Sequence, residues 1–228
     1  MKKSKNYFNK VASQWDSMQQ SFFSNMVWEK AIEIAQPKRG KLAADIGCGT
    51  GFISAALIKE GLNVIAVDQS PAMLERLKSK FNESPFINKI DFRLGDSNSL
   101  PIETESVDYV FANMYLHHVE NPQMAIMEMT RILKTDGKLV VTDLDKHGFL
   151  FLKTEQFDQW LGFKRTDIKK WFGRANLNKI RIDCVGVSCQ ASSRCCTKKA
   201  NISIFYAFGI KINAEDKIDV KNLSKTNS

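Results

Sequence analysis

The stretch "KLAADIGCGTG", Lys41–Gly51, decides the fold of this 228-residue chain. "KLAADIG" is a short apolar run stopped by glycine, which reads as a buried strand. "FISAALIKEG" follows with helical spacing at Phe52, Ala55, Ala56 and Lys59, and Gly61 ends it. Gly47, Gly49 and Gly51 therefore occupy a strand-to-helix loop, where they let the backbone turn sharply and let a ligand approach where any side chain would collide. "NVIAVD", Asn63–Asp68, is a second strand, and a carboxylate at its end can accept from both hydroxyls of a ribose. Dinucleotide sites want G-x-G-x-x-G/A, which needs a small residue where this chain has Phe52. The trio here is G-x-G-x-G, with Asp45 ahead of it.

Further strands and helices alternate outward from that loop. "SPAMLERLKSKF" is a helix with Ser70 as N-cap and Pro71 in its first turn. "KIDFRLGD" (Lys89–Asp96) and "VDYVFAN" (Val107–Asn113) are the third and fourth strands. "PQMAIMEMTRILK" (Pro122–Lys134) has helical periodicity that offers Met124, Met127 and Ile132 to one face, and an Asp136-Gly137 turn separates it from a fifth strand, "KLVVTDL". "TDIKKWFGRAN" places Ile168, Trp171, Phe172 and Ala175 on one helical face. "KIRIDCVGV" (Lys179–Val187) and "NISIFYAFGI" (Asn201–Ile210) are the sixth and seventh strands. The pattern predicts an α/β fold, a Rossmann-like doubly wound sheet of seven mostly parallel strands. The link between the last two strands lacks helical periodicity, which predicts an antiparallel last strand. The first 36 residues read as helices lying before the sheet, and the tail from about Lys211 is polar and without an apolar period.

The formal net charge is +8, but the basic residues are mostly scattered lysines. No Arg-rich stripe interleaved with aromatics offers a stacking groove, so the charge reads as a solvated surface and argues against a nucleic-acid partner. No apolar run is long enough to span a membrane, and "MKKSKNYFNKVASQWD" has no apolar h-region behind its basic residues. The odd count of five cysteines argues against a secreted disulfide framework. A cytoplasmic protein is the expectation.

"DIGCGTG", "VDQS", "LGDSNSLPIETESVDYVFANMYLHHV" and "RILKTDGKLVVTDL", in this order across roughly Tyr7 to Ile210, resemble the class I S-adenosylmethionine-dependent methyltransferases. The likeness is to the broad small-molecule group, type 11, that includes the ubiquinone- and menaquinone-type enzymes. The resemblance implies that Asp45 and the loop of Gly47, Cys48, Gly49 and Gly51 hold the methionine end of S-adenosylmethionine. It implies that Asp68 binds the ribose hydroxyls, that Gln69 or Ser70 edges the adenine, and that Asp96, with Ser97 beside it, accepts from the adenine amino group. Asn113 would lie next to the sulfonium and the substrate. "YFNKVASQWD" resembles a helix that closes over the cofactor, so Tyr7 and Trp15 are candidate lid residues, with ordinary packing as the alternative. The implied organisation is an N-terminal helical lid over 1–36, a methyltransferase domain over 37–210 and a polar tail over 211–228. A sulfonium methyl is already activated, so in-line displacement needs mainly positioning and desolvation. A base is needed only where the nucleophile carries a proton that must leave.

"NMYLHHV" puts His117 and His118 just after the fourth strand, as a candidate base or as a structural pair. "DLDKH", with Asp143, Asp145 and His147, is either a polar loop or a place that positions a substrate or a metal. No metal site is assigned. The fourth strand is not followed by the [DN]-P-P-[YFW] of amino-methylating nucleic-acid enzymes, and no Pro-Cys nucleophile is present, which favours a small-molecule acceptor. "DCVGVSCQASSRCC" (Asp183–Cys196) holds four of the five cysteines. Their spacing, C-x4-C-x5-C-C without a histidine, does not suit zinc. The expectation is a loop over 188–199 that carries Cys189, Cys195 and Cys196 to the carboxyl edge of the sheet, with Cys184 buried in the strand before it. Soft thiolates select thiophilic species. Methylation of a metalloid such as arsenite held by those three thiols is therefore an alternative to an organic acceptor. An RNA methyltransferase and a non-catalytic thiol or metal sensor are further alternatives.

Overall fold

Eight α-helices and seven strands alternate along the residues described by a computed structural model, 2–22, 24–193 and 198–213. Strands β1 (Leu42–Ile46), β2 (Asn63–Asp68), β3 (Ile90–Leu94), β4 (Val107–Asn113), β5 (Leu133–Leu144), β6 (Leu177–Ser192) and β7 (Lys199–Lys211) form one sheet in the order β3-β2-β1-β4-β5-β7-β6. β1 to β5 run parallel, and β7 lies antiparallel between β5 and β6. The helices are α1 (Lys2–Val11), α2 (Trp15–Phe22), α3 (Met26–Ala35), α4 (Phe52–Lys59), α5 (Pro71–Phe81), α6 (Pro122–Ile132), α7 (Phe151–Glu155) and α8 (Arg165–Arg174). Among the described residues no helix is long and apolar enough to cross a membrane.

The central strands β1, β2, β4 and the second half of β5 bury both faces, which is why they read as continuous apolar runs. Ala44, Ile65, Val67, Val110 and Val141 pack with α6 and α8 on one face, whereas Ala43, Val64, Ala66, Phe111 and Val140 pack with α3, α4 and α5 on the other. α5 begins as its sequence requires, with the Ser70 hydroxyl accepting from Met73 N at 3.2 Å and Pro71 in the first turn.

Four details depart from the sequence expectations. Met124 and Met127 point to solvent, 49% and 41% exposed, and α6 instead buries Ala125, Ile126, Met129 and Ile132. The Asp136-Gly137 turn does not separate α6 from a strand. β5 already pairs with Val107 at Leu133, and the turn is absorbed as a bulge before pairing resumes at Lys138. β6 and β7 are longer than their apolar cores, so they form an extended hairpin that shortens the expected loop. Cys189 lies inside β6, opposite Ile202, and is buried. Cys184, in contrast, is exposed, with its thiol 3.5 Å from Ser203 Oγ on β7, on a face of the hairpin that is open to solvent. Cys195 and Cys196 lie outside the described residues.

The helices before the sheet divide. α3 joins the core through Ala31, Ile34 and Ala35, whereas α1 and α2 lie across the carboxyl ends of the strands near the glycine loop. Residue Lys211, placed with the tail by its polarity, still belongs to β7.

Candidate active site

The loop after β1 is tied to the end of β2. Gly47 N and Cys48 N both donate to the Val67 carbonyl, at 2.9 and 3.1 Å. Gly47 (φ +71°) and Gly51 (φ +94°) take left-handed conformations, and a Cβ at either would stand 2.2 Å from a neighbouring side chain, Tyr115 and Leu77 respectively. Asp68 is fixed at both oxygens, with Oδ2 accepting from Gly49 N and Oδ1 from Ser70 N, each at 2.8 Å. The Gln69 backbone N–H adds a third donor to the same carboxylate. Burial holds the Asp68 carboxyl above its ordinary range despite those bonds. Asp45 is buried and accepts from the Ser54 hydroxyl at 2.6 Å; burial pushes it up to about 7. The Cys48 thiol is pushed well up by burial as well, which suits a small inert residue more than a nucleophile.

α1 and α2 are latched over this loop. The Thr50 hydroxyl donates to Asp16 Oδ1 at 2.5 Å, and Lys80 Nζ reaches the same oxygen at 2.7 Å and the Thr50 carbonyl at 2.8 Å. The Ser70 hydroxyl, which caps α5, donates to Asn9 Oδ1 at 2.6 Å. The Trp15 indole lies 3.5 Å from where a Cβ on Gly49 would stand.

Between loop and lid lies a narrow cavity, with about 60 Å³ of room for the centres of water-sized molecules. Phe8, Trp15, Phe52, Met73, Met114 and Tyr115 give it apolar walls, and Asp45, Asp68, Gln69, Asn113 and His118 supply its polar groups. An elongated ligand with an apolar ring and a few polar termini fits such a lining. Asn113 ends β4, its Oδ1 accepting from Thr142 Oγ1 at 2.6 Å. The Tyr115 phenol is hydrogen-bonded to the Ser97 side chain, and burial raises its pKa.

Beyond Tyr115 the chain makes a 3-10 turn, Leu116–His118, that carries two buried imidazoles. His117 Nδ1 lies 2.7 Å from Asp143 Oδ1. Burial pulls the His117 pKa down, but the charge and bond of Asp143, with Asp158 behind, outweigh this and lift it to about 9. His118 is held well below its ordinary value by burial and by His117, so it is neutral at pH 7. Asp158 is pushed up to about 6 by burial. Its segment is fixed from the turn itself: Gln159 N and Trp160 N both donate to the His117 carbonyl, at 2.8 and 3.0 Å, and Trp160 Nε1 donates to the Val119 carbonyl at 3.0 Å.

Of the residues singled out in the sequence, Trp15, Asp45, Gly47, Cys48, Gly49, Asp68, Gln69, Asn113 and His118 border the cavity. Gly51, Tyr7, Asp96, Ser97 and His117 do not. Gly51 starts α4. Tyr7 packs against Phe8 and Phe157, so Phe8 is the aromatic of α1 on the cavity. Asp96 Oδ1 accepts from Asn98 N at 2.8 Å, and Ser97 stands behind Tyr115. Cys189 does not border the cavity but packs with Val27, Leu144, Leu152 and Ile202 behind it, and burial pushes its thiol up to about 12. Sequence reasoning passed over Tyr115, Met114 and Phe8. The signal available for the first two was their position, at the carboxyl end of a central strand.

A glycine loop after β1, an acidic residue ending β2 and a cavity over both define a Rossmann-like nucleoside-cofactor protein. Residues 44–141 match the family described as "Methyltransferase domain". The demethylmenaquinone methyltransferase of Staphylococcus haemolyticus is 30% identical over 207 residues, covering 77% of this chain and 85% of that one. Its namesake in Desulfitobacterium hafniense is 30% identical over 177 residues, covering 74% and 69%. The methyltransferase of Haloferax volcanii, solved with the activator Trm112, superposes with a TM-score of 0.74 at 17% identity over 90% of this chain and 98% of that one. The chain belongs to the class I S-adenosylmethionine-dependent methyltransferases, in the type 11 group.

Proposed function

We propose that this enzyme moves the methyl group of S-adenosylmethionine to a small organic acceptor that carries a hydroxylated ring, a quinol-type molecule. The observation that carries the reading is the cavity itself. Aromatic and thioether walls lie beside one neutral imidazole, His118, and the amide of Asn113, with Gln19 and Gln69 also on the lining. The identity to demethylmenaquinone methyltransferases points to the same class of acceptor.

The residues present suit the cofactor. The left-handed glycine cradle gives backbone approach, and Asp68, oriented by backbone donors at the cavity wall, is the carboxylate placed to accept from the ribose hydroxyls. Buried Asp45 offers a carboxylate for a cationic amino group, and Gln69 borders the same end. When bound, the cofactor supplies an electrophilic methyl on sulfur, and the remaining work belongs to the chain. Trp15 and Phe8 exclude water from above. Met114 and Tyr115 give the acceptor ring a flat apolar surface to lie on. Asn113 is oriented by Thr142, so its amide N–H2 faces away from that bond and can hold an acceptor oxygen. Residues 1–22 act as the lid, the part of the N-terminal region that lies over the cavity, and 37–210 as the catalytic domain.

The experiment is release of S-adenosylhomocysteine with a panel of acceptors: a reduced naphthoquinol, a phenolic acid, arsenite with glutathione, and RNA. Turnover with the naphthoquinol alone supports the reading. Turnover with arsenite that is lost in Cys195→Ser or Cys196→Ser would overturn it in favour of a metalloid acceptor. RNA-dependent release would move it to the nucleic-acid class. Buried Cys189, with its raised pKa, argues against a three-thiolate metalloid site that includes it.

A further inference from the structure

The pair of histidines and the two aspartates beside the cavity make an arrangement that methyl transfer to carbon or oxygen does not by itself require. His117 Nε2, His118 Nδ1 and Asp158 Oδ1 converge: the first lies 4.0 Å and the second 3.7 Å from the carboxylate oxygen, and the three ligand atoms all lie within 4.8 Å of one another. Asp158 is all but fully buried, its side chain 3% exposed, and its Oδ1 has no hydrogen-bond partner; nor has His118 Nδ1. Unpartnered polar atoms in the interior are costly and call for a species that binds them.

We infer that His117, His118 and Asp158 bind one divalent transition-metal ion of the zinc class at the wall of the cofactor cavity, with Asp143 as the outer partner that orients His117. Two imidazoles and a carboxylate are the donor set that zinc, iron and cobalt accept. With bonds of about 2.0–2.2 Å in a tetrahedral centre, ligand atoms stand about 3.4 Å apart, so these atoms need to close by up to about 1.4 Å. His117 Nδ1 is engaged by Asp143 Oδ1 at 2.7 Å, which leaves Nε2 as the metal-facing nitrogen. This is the carboxylate–histidine–metal relay that fixes ring orientation at metal sites. The carbonyl of His117 clasps the segment that carries Asp158, so the ligands are held to one another by backbone as well.

His118 also borders the cavity. An ion held here stands at the cavity wall with a coordination position left over, and an acceptor oxygen is the group it would take. That last extension rests on the methyl-transfer reading; the metal site does not.

Titration of the full-length, metal-stripped chain with CoCl2, followed by visible absorption, tests the site without any turnover. The expected result is one cobalt per chain, with d–d bands of a low-coordinate nitrogen–oxygen centre and no thiolate charge-transfer band in the near ultraviolet. Asp158→Asn and His118→Asn should each abolish those bands. Asp143→Asn should weaken affinity about 10–100-fold. Cys184→Ser and Cys189→Ser should leave the titration unchanged. Melting of each metal-free variant reports whether it folds, and Asp143→Asn carries the test if a ligand variant does not. Bands that depend on a cysteine, bands that persist in Asp158→Asn, or no binding at all would overturn the inference, the last meaning that water or a proton serves the cluster. S-adenosylhomocysteine binding to the metal-stripped chain, measured by calorimetry, reads the methyltransferase assignment separately.

Discussion

The ring of Tyr115 lies where a side chain on Gly47 would have to stand: a Cβ there would meet Tyr115 Cδ2 at 2.2 Å. The residue that follows β4 by two positions thus closes over the loop that follows β1. Ser97, just beyond β3, holds the phenol from the other side. Three carboxyl ends of a parallel sheet are locked together by one aromatic side chain. This converts a permissive glycine loop into a surface of fixed shape.

Gly47→Ala should therefore act twice. An alanine at φ +71° costs on the order of 1–2 kcal/mol, and displacing a buried ring adds a packing penalty. Melting should drop by several degrees, since about 2–4 °C per kcal/mol is typical for a chain of this length. Combining it with Tyr115→Ala removes the collision but not the backbone strain, so the double variant should be less destabilised than the sum of the singles. Strict additivity in thermal melts would show that ring and loop are not coupled.

Asp68→Asn tests the ribose assignment with little change in volume. An amide supplies a donor where Gly49 N and Ser70 N both need an acceptor, and it cannot replace a charged acceptor for hydroxyls. Charge-assisted bonds are worth about 1.5–3 kcal/mol, so the dissociation constant of S-adenosylhomocysteine should rise about 10–100-fold. Calorimetry that returned near wild-type affinity would remove Asp68 from the cofactor site.

The pH dependence of cofactor binding should trace Asp45. Burial raises its carboxyl to about 7, so the unliganded protein keeps that proton at pH 6 and a cationic ligand must displace it. Affinity for S-adenosylmethionine should therefore strengthen as pH rises from about 5.5 towards 7.5 and then level off. Folding stability runs the other way. Between the ordinary carboxylate value of 3.8 and about 7 the folded state binds more protons than the unfolded one, so this group erodes stability as pH rises through that window. Asp68, also held up by burial, acts in the same direction. Asp45→Asn should abolish the upper part of the binding profile; a profile unchanged by that variant would contradict the assignment.

The strands, their mostly parallel sense and the glycine loop were legible because they rest on local signals, whereas the order of the strands in the sheet was not. Gly47, Gly49 and Gly51 mark a turn, Asp68 ends an apolar run, and Ser70-Pro71 starts a helix by chemistry that needs no tertiary context. The His117–Asp143–Asp158 cluster was not legible, because it joins the turn after β4, the end of β5 and the segment after α7, which no spacing relates. His117 and His118 were visible as residues, Asp143 as part of a polar loop, and Asp158 not at all. The thiol segment misled for the opposite reason. A hairpin ladder extends beyond the apolar run that announces it, so Cys189 is buried in β6 and Cys184 is exposed. Helix faces are ambiguous where methionines are plentiful, and in α6 Met129 took the interior while Met124 and Met127 did not.

The polar latches of the lid are local, and that makes its opening testable. Asn9 with Ser70 ties α1 to the domain and Asp16 with Thr50 and Lys80 ties α2, beside ring contacts of Tyr7 with Phe157 and Phe8 with His118. Asp16 and Lys80 are each more than a third exposed, so their ion pair adds about 0–1 kcal/mol and is screened by salt. Asp16→Ala should accordingly leave the melting temperature within a few degrees of wild type. It should nevertheless loosen α2, because the Thr50 hydroxyl and the Lys80 ammonium lose their shared acceptor at once. Trypsin should then cut faster at Lys10, between the two latches, and saturating S-adenosylhomocysteine should slow that cut in the wild type more than in the variant. Trp15, over Gly49, gives a second readout: ligand binding should change its fluorescence, and Trp15→Phe should remove that change. Equal cleavage rates for wild type and Asp16→Ala, with and without ligand, would mean that α1 and α2 are a fixed wall of the cavity and not a lid.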